Sequence, residues 1–305
     1  MSELPILIAG ATASGKSALA VALAEKYNGC VINADSMQVY DTLDVLTARP
    51  PKEDLRRAPH LLYGHVPVAA PYSVAQWQAE ALDAIAQAQK NGQRPILVGG
   101  TGLYFKSLTE GLADIPDIPE TVRAALRARL DSDGLAVLYG ELQRVDSSLA
   151  ARLPSTDSQR ILRGLEVFEA TGEPLSQWQK QVQKPPLTAF CGILLMPDRD
   201  WLYARCNARY EAILADGAQN EVERLWALNL PPDANALKAL GVSQLMALMQ
   251  GEIDAETATA QAQQATRRYA KRQMTWFRNQ MKDWQLFSEK DYENNFANIF
   301  SFISK

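Results

Sequence analysis

A glycine-rich turn near the start of the chain contains the residue types that bind a polyphosphate. Residues 10–17 read GATASGKS, the spacing of two glycines, a lysine and a serine that is typical of a P-loop. Gly10 and Gly15 would supply the unusual backbone angles that turn N–H groups towards an anion. Lys16 would neutralise the outer phosphates, and Ser17 would offer its hydroxyl to Mg²⁺. The turn therefore predicts a polyphosphate ligand with Mg²⁺, but it does not identify the reaction.

A carboxylate follows the second predicted strand, which covers residues 29–33. The chain continues there with Asp35, Ser36, Met37 and Gln38. Because ligands bind at the carboxyl edge of a parallel sheet, we expect Asp35 to lie beside the phosphate loop. Asp35 could act there as a general base towards the group that attacks the bound phosphate ester. Capping of a following helix and binding of Mg²⁺ through water are alternatives that the pattern leaves open.

The strand predicted at residues 94–100 ends without a carboxylate, in the order Gly99, Gly100, Thr101 and Gly102. P-loop proteins that hydrolyse nucleotides usually hold their metal with an acidic residue at such a strand end. The sequence therefore favours a kinase, or another transferase with a phosphate leaving group, over an ATPase or GTPase. Thr101 is a candidate site residue, although the glycines could also serve chain geometry alone.

Basic residues cluster on predicted helices, although the net charge of the protein is −4. Arg160 and Arg163 lie three residues apart, hence on one helix face. Arg199, Arg205 and Arg209 follow the strand predicted at 190–197. The last long helix contains aromatic residues and, with no acidic residue between them, the cations Arg267, Arg268, Lys271, Arg272, Arg278 and Lys282. Such a patch suits phosphates, while its aromatic side chains could stack on bases or pack in the core.

Apolar strands and amphipathic helices alternate in the first third of the chain. Strands at 6–9, 29–33 and 94–100 are separated by helices at 17–27 and 73–90. Near-continuous apolar strands in this alternation indicate a parallel sheet that is covered on both faces. The predicted fold class is therefore α/β, with a P-loop NTPase-like parallel sheet flanked by helices.

Strand patterns disappear in the middle of the chain and return afterwards. Helical periodicity dominates residues 113–186, which proline-rich segments bracket, and this indicates an all-helical insertion domain. The α/β core would then comprise 1–112 together with 187–285, and 286–305 would form a C-terminal tail that is either weakly ordered or a short docking helix.

Composition is that of an ordinary globular protein, with 47% hydrophobic and 22% charged residues. Because there is neither a long apolar run nor a secretory signal, we expect a cytoplasmic protein without a membrane span. Three scattered cysteines and two histidines argue against a zinc site or a disulfide framework. The sequence has no coiled-coil heptad pattern that would require a partner helix, which favours a monomer.

Several motifs, in their order along the chain, resemble the bacterial tRNA dimethylallyltransferases, also called tRNA isopentenyltransferases. They are the phosphate loop at 10–17, Asp35–Gln38, Thr47–Pro50, Gly99–Tyr104, Asp157–Glu166 and Ala270–Arg278. The resemblance runs from about residue 4 to residue 280. It implies transfer of the dimethylallyl group of dimethylallyl diphosphate to N6 of the adenosine at tRNA position 37, beside the anticodon, with release of diphosphate.

The resemblance also implies roles for individual residues. Asp35, Thr101 and Arg205 would be catalytic, with Arg209 as the alternative to Arg205. The diphosphate would lie against Gly10, Ala11, Thr12, Ala13, Ser14, Gly15, Lys16 and Ser17, with Mg²⁺ at Ser17. The insertion would clamp the tRNA, whose contacts would be Asp35, Ser36, Met37, Gln38, Thr101, Arg123, Gln159, Arg160, Ile161, Leu162 and Arg163.

The residues by themselves are also compatible with two other functions. A P-loop kinase acting on a small metabolite or nucleoside would use Asp35 as the base for a hydroxyl group. An RNA-binding module with a vestigial phosphate loop would use the basic helix at 267–282 for phosphate contacts.

Overall fold

The computed structural model describes residues 4–181, 184–232, 234–288 and 292–304. The chain divides into two compact units, one formed by residues 1–107 with 187–305 and the other by 108–186. Within the described residues, no helix is both long enough and apolar enough to cross a lipid bilayer.

The sheet of the larger unit contains, among the described residues, six strands. They are β1 (Ile6–Gly10), β2 (Gly29–Asn33), β3 (His60–Leu61), β4 (Arg94–Gly99), β5 (Cys191–Leu195) and β6 (Gln285–Phe287). All neighbours pair in parallel, in the order β3-β2-β4-β1-β5-β6. Every residue of β1 and β2 is buried, as their unbroken apolar sequences require. The predicted α/β fold class is confirmed.

Strand order determines which loops meet at the carboxyl edge of the sheet. Strand β4 lies between β2 and β1, with Ile96 beside both Val31 and Ile6. The glycine-rich turn after β4 therefore separates the loop after β2 from the phosphate loop after β1. This edge is where ligands bind in open parallel sheets.

Helices cover the sheet and build the smaller unit. In chain order they are α1 (Lys16–Lys26), α2 (Lys52–Arg57), α3 (Val74–Lys90), α4 (Gly102–Glu110), α5 (Glu120–Asp133), α6 (Leu135–Val145), α7 (Ser147–Ala150), α8 (Ser158–Thr171), α9 (Leu175–Trp178), α10 (Arg199–Ala215), α11 (Ala218–Ala227), α12 (Val242–Met249), α13 (Ala255–Gln280) and α14 (Tyr292–Ile303). A short 3₁₀ turn, Asn235–Lys238, precedes α12.

Helix α13 carries the basic residues of the C-terminal region. It begins after Asp254, whose carboxylate accepts the N–H of Thr257 at 2.7 Å and so satisfies a free donor of the first turn. Its buried residues recur every three or four positions, namely Ala258, Ala262, Thr266, Ala270, Gln273 and Phe277. Since one helix face is buried, most of the cations lie on the other face, which is exposed.

The C-terminal segment contributes to the core of the larger unit. Strand β6 pairs with β5 at the edge of the sheet, and Ile299 of α14 is completely buried in the cluster that contains Ile8 and Leu23. The sequence reasoning considered a weakly ordered tail or a short docking helix for 286–305, and it anticipated neither β6 nor β3, the strand at the opposite edge of the sheet. Residues 289–291 and 305 of that segment lie outside the described part of the chain.

The smaller unit has its own hydrophobic core. Leu126 of α5, Leu138 and Leu142 of α6, and Leu165 of α8 are fully buried there. Asp146 is buried as well, and its carboxylate accepts the N–H groups of Leu149 at 2.9 Å and Ser176 at 2.8 Å, so one side chain caps α7 and supports α9. All regular structure among the described residues of this unit is helical.

Candidate active site

The turn between β1 and α1 has the left-handed geometry that a phosphate loop needs. Gly15 has φ 89°, and Ala13 has φ 62°, which is uncommon for a residue with a side chain. Lys16 folds back over the loop, and its Nζ donates to the carbonyl oxygen of Ala11 at 3.3 Å. The first N–H groups of α1 have no partner within the helix, so they are free to face an anion.

Two N–H groups of the loop point at the protein instead. Ser14 donates to the carbonyl oxygen of Ala11 at 3.2 Å, and Thr12 donates to Oε1 of Gln273 at 2.9 Å. The prediction that the turn directs its N–H groups towards an anion therefore does not hold for Ser14 and Thr12. The N–H groups of Thr12 and Ser14 thus stabilise the loop itself, and those at the start of α1 remain to bind an anion. The unusual backbone angle predicted at both glycines occurs at Gly15 and not at Gly10, which ends β1 without a positive φ.

A cavity of about 410 Å³ lies at the N-terminus of α1. Its walls contain Ala13, Gly15, Lys16, Ser17, Ala18, Arg205, Ala208 and Arg209. Of the loop residues predicted to bind diphosphate, four thus line this anion cavity, whereas Gly10, Ala11 and Ser14 are buried. Three cations and no carboxylate among the lining residues make the cavity suited to a strongly charged anion.

The pKa of Lys16 is lowered to about 8, chiefly by burial and then by the nearby charge of Arg209, while the charge of Asp35 opposes the shift. The pKa of Arg209 is also lowered by burial, again with Asp35 opposing. Arginine nevertheless stays protonated at neutral pH because its ordinary pKa is so high. Of these two cations, Lys16 is therefore the one that loses its charge near pH 8.

We predict that kcat/KM for the anionic substrate falls as the pH rises above about 8, because Lys16 of the free enzyme then loses its proton. A bound polyanion stabilises the ammonium group, so the same decline in kcat should lie at higher pH. Initial rates measured at limiting and saturating substrate would separate the two profiles. A kcat/KM that stays constant up to pH about 10 would contradict this role of Lys16.

The loop after β2 is held rigidly beside the turn after β4. Oδ1 of Asp35 accepts the N–H of Met37 at 2.9 Å, and the N–H of Ser36 donates to Oγ1 of Thr101 at 2.9 Å. Thr101 also donates from Oγ1 to the Ser36 hydroxyl at 3.2 Å. Asn33, the last residue of β2, donates from Nδ2 to the carbonyl oxygen of Asp35 at 3.0 Å. Through its two hydrogen bonds to Ser36, Thr101 thus holds in position the loop that carries Asp35.

The glycines of the turn permit this close packing. A Cβ at Gly99 would overlap the carbonyl group of Ala34, and one at Gly102 would overlap the ring of Trp276. A Cβ at Gly100 would overlap Nε2 of Gln273 and lie 3.5 Å from Oδ2 of Asp35. The turn therefore lies between the Asp35 loop and α13, and its three glycine positions have no room for side chains.

A second cavity, of about 280 Å³, contains Asp35. It is lined by Thr12, Asp35, Ser36, Met37, Leu46, Thr47, Cys206, Arg209, Tyr210, Ile213, Lys238, Ala239, Leu240, Thr266, Tyr269 and Arg272. Half of these residues are apolar or aromatic, and the charged ones are Asp35 with the cations Arg209, Lys238 and Arg272. Arg209 lines both cavities. A charged group bound on one side and a planar or apolar group on the other would therefore meet near Arg209.

A buried carboxylate shapes one wall of this second cavity. Glu221 of α11 is only 1% exposed and accepts the N–H groups of Asp44, Val45 and Leu46 at 2.7, 2.6 and 2.9 Å. These bonds fix the turn that presents Leu46 and Thr47 to the cavity. The sequence analysis missed Glu221, because nothing in the local pattern marks a partner so distant along the chain.

Arg205 and Arg209 differ in their surroundings, although both line the anion cavity. Nε of Arg205 donates to the carbonyl oxygen of Ala13 at 3.1 Å, and its exposed guanidinium lies over the ring of Trp201. Nη2 of Arg209 donates to the carbonyl oxygen of Thr47 at 3.4 Å. Arg205 is thus a contact of the phosphate loop, while Arg209 reaches the loop that lines the second cavity.

In the smaller unit, helix α8 presents the predicted RNA contacts unequally. Arg160 is exposed and pairs with Asp157 at 3.2 Å, and Arg163 is 40% exposed and pairs with Glu166 at 3.4 Å. Gln159 is exposed, and Leu162 packs partly against the core. Arg123 of α5 is 39% exposed, with Glu120 at 3.8 Å.

The side chain of Ile161 is completely buried in the core of the smaller unit. Its inclusion among the tRNA contacts is therefore not supported, because a side chain without exposed surface cannot touch RNA in this conformation. The apolar spacing of Ile161 and Leu165, four residues apart, was the available signal for a core position.

Comparison with known proteins gives consistent matches over nearly the whole chain. The family profile described as IPP transferase matches residues 38–280. A protein of Rhizobium etli named tRNA dimethylallyltransferase is 52% identical over 286 residues, which cover 93% of this chain and 96% of that protein. The crystal structure of a tRNA isopentenylpyrophosphate transferase from Bacillus halodurans is 32% identical, with a TM-score of 0.71 over 100% of this chain and 96% of the other. A eukaryotic dimethylallyltransferase whose structure was determined acting on tRNA is 28% identical, with a TM-score of 0.78 over 95% of this chain and 74% of the other. The chain belongs to the IPP transferase family, among whose members are the tRNA dimethylallyltransferases.

Proposed function

We propose that this enzyme transfers the dimethylallyl group of dimethylallyl diphosphate to N6 of the adenosine at tRNA position 37. The observation that carries the proposal is the pair of cavities that share Arg209. One has cationic side chains and the N-terminus of a helix, which suit a diphosphate. The other combines apolar and aromatic residues with one carboxylate, Asp35, and with cations, which suit an allyl group, a base and the phosphates of an RNA acceptor.

The reaction breaks the C–O bond of the allylic diphosphate and forms a C–N bond to the adenine. Negative charge then builds on the departing diphosphate, where Lys16, Arg205 and Arg209 would stabilise it. The exocyclic amine is a poor nucleophile whose proton must leave as the new bond forms, and the carboxylate of Asp35 would accept it. Thr101 would hold the Asp35 loop in place through its two hydrogen bonds with Ser36.

Mg²⁺ fits this arrangement as an ion shared with the substrate. Among the described residues, no group of three His, Cys, Asp or Glu side chains could hold a metal ion, and Ser17 is the hydroxyl that lines the anion cavity. Mg²⁺ is commonly bound by substrate phosphates and water with few protein ligands. Ser17 would hold it there, and the ion would supply further charge neutralisation for the diphosphate.

An anticodon loop offers the acceptor base in a form that a protein can reach. Proteins read single-stranded RNA loops by unstacking their bases, and enzymes that modify a base move it out of the stack. The exposed cations of α13 would contact phosphates near the second cavity, into which Arg272 extends. Residues Gln159, Arg160, Arg163 and Arg123 would contact the tRNA from the smaller unit. A tRNA substrate agrees with the cytoplasmic location expected from the sequence.

One assay tests the proposal against both alternatives. The protein is incubated with Mg²⁺, unmodified tRNA carrying adenosine at position 37, and either labelled dimethylallyl diphosphate or γ-labelled ATP. We expect label in the tRNA from the prenyl donor only, located at N6 of that adenosine after nuclease digestion. Transfer from ATP would support the kinase, and binding of tRNA without transfer would support the RNA-binding module.

Replacing both Arg160 and Arg163 by Gln should weaken tRNA binding and reduce the slope of log Kd against log salt by about 1 to 2. Each phosphate contact that is lost means that one counterion fewer is released from the tRNA on binding. Titrations at several salt concentrations measure this slope. Arg56→Gln with Lys90→Gln is the matched control, since both side chains are exposed on the larger unit and line neither cavity. Equal slopes for the test and control variants would leave α8 as an ordinary solvated helix face.

A further inference from the structure

The side chain of Gln273 connects the two halves of the site. On helix α13 it is 6% exposed, and its Oε1 accepts the N–H of Thr12 at 2.9 Å. Its Nε2 donates to the carbonyl oxygen of Gly100 at 2.8 Å. One buried amide thus joins the phosphate loop after β1 to the turn after β4.

These partners lead directly to the reacting groups. Thr12 belongs to the loop that carries Lys16 and lines the cavity of Asp35. Gly100 precedes Thr101, which holds the Asp35 loop through Ser36. Gln273 itself lines neither cavity. Its effect on the reaction must therefore pass through its neighbours.

Both bonds require an amide at this position. A carboxylate would accept from Thr12 but could not donate to Gly100, and an apolar side chain would do neither. Since an unpaired buried backbone group is costly, the loop and the turn would shift to recover partners. The neighbouring side chains keep α13 itself in place, because Phe277 is fully buried and Trp276 packs over Gly102.

We propose that Gln273 is a positioning residue that sets the separation between the diphosphate held by the phosphate loop and the acceptor amine held near Asp35. Transfer between two bound substrates depends steeply on their alignment, and a misplacement of about 1 Å can cost about 10²-fold in rate. Binding of either substrate alone does not depend on that separation. The inference rests on the proposed function and specifies how its two subsites are kept in register.

The test is Gln273→Met, with Gln273→Glu as the second variant that keeps the bond to Thr12. We expect the single-turnover rate of prenyl transfer at saturating substrates to fall about 10–10²-fold in Gln273→Met, while the Kd values for dimethylallyl diphosphate and for tRNA stay within about twofold. Gln273→Glu should also transfer slowly, because the bond to Gly100 is lost; since its added negative charge opposes anion binding, the comparison of affinities is made in Gln273→Met. Thermal unfolding of each variant shows whether it is folded.

Gln263→Met is the matched control, because Gln263 lies on the same helix and also uses its amide for two hydrogen bonds, to the carbonyl oxygen of Asn207 and to Glu211. It should transfer at the wild-type rate. Wild-type transfer in both Gln273 variants, or a loss of rate matched by an equal loss of affinity for dimethylallyl diphosphate, would overturn the proposal. Failure of the proposed function itself would appear differently, as absence of transfer by the wild-type enzyme.

Discussion

Replacing Asp35 by Asn is expected to lower kcat about 10²–10⁴-fold, the usual contribution of a general base. The amide oxygen can still accept the N–H of Met37, which Oδ1 now binds at 2.9 Å, so the loop should keep its shape. The variant loses the ability to take the proton from N6 of the adenosine. Affinity for tRNA should therefore change little while the chemical step slows, and single-turnover rates with separately measured Kd values would show the difference.

The control for this substitution is Asp83→Asn. Asp83 is exposed on α3 and lines neither cavity, so the change removes the same charge from the same unit. It should leave kcat at the wild-type value. If Asp35→Asn turns over as fast as Asp83→Asn, Asp35 is not the base, and a role in shaping the loop after β2 is the remaining explanation.

Lys16→Met is expected to reduce kcat/KM for dimethylallyl diphosphate about 10²–10³-fold, the typical loss when a donor to a developing oxyanion is removed. The effect should exceed that of losing a surface cation, because Lys16 is largely buried and faces the anion cavity together with Arg205 and Arg209. Methionine keeps the length and most of the volume of the side chain, so the packing of the loop should survive. Steady-state kinetics with varied donor at saturating tRNA measures the loss.

The pH profile gives an independent check on the same residue. Lys16→Met should lack the decline of kcat/KM above pH 8 that we expect for the wild type, since the titrating group is gone. Lys90→Met, at the exposed end of α3, should keep both the rate and the profile. A Lys16→Met enzyme that is slow but still shows the decline would assign that decline to another group.

The parts of the site that the sequence predicted depend on local spacing or on a general rule of parallel sheets. The phosphate loop is contiguous, so its glycines, lysine and serine identify it without any tertiary knowledge. The position of Asp35 beside it followed from the rule that strand ends meet at one edge. The covered parallel sheet followed from the unbroken apolar strands.

Other features depend on contacts between distant parts of the chain, which spacing cannot show. Gln273 meets Thr12 across 261 positions of sequence, and Glu221 meets Val45 across 176. Arg205 and Arg209 share a helix face, so their separation of four residues could not decide which of them reaches the second cavity. Strand β3 has two residues and β6 has three, which is too short for a periodic pattern to be recognised.

The crowded turn after β4 limits how this scaffold could change its chemistry. A carboxylate introduced at Gly99 would have to displace the backbone at Ala34, and one introduced at Gly100 would displace the Gln273 amide and approach Asp35. Neither Gly99 nor Gly100 can therefore accept an acidic metal ligand without displacing its neighbours, whereas Thr101 of the same turn already carries a side chain. A carboxylate at Gly99 would require movement of the Ala34 backbone, and one at Gly100 would require movement of the Gln273 side chain, so close packing restricts which residues of this turn could acquire a metal ligand.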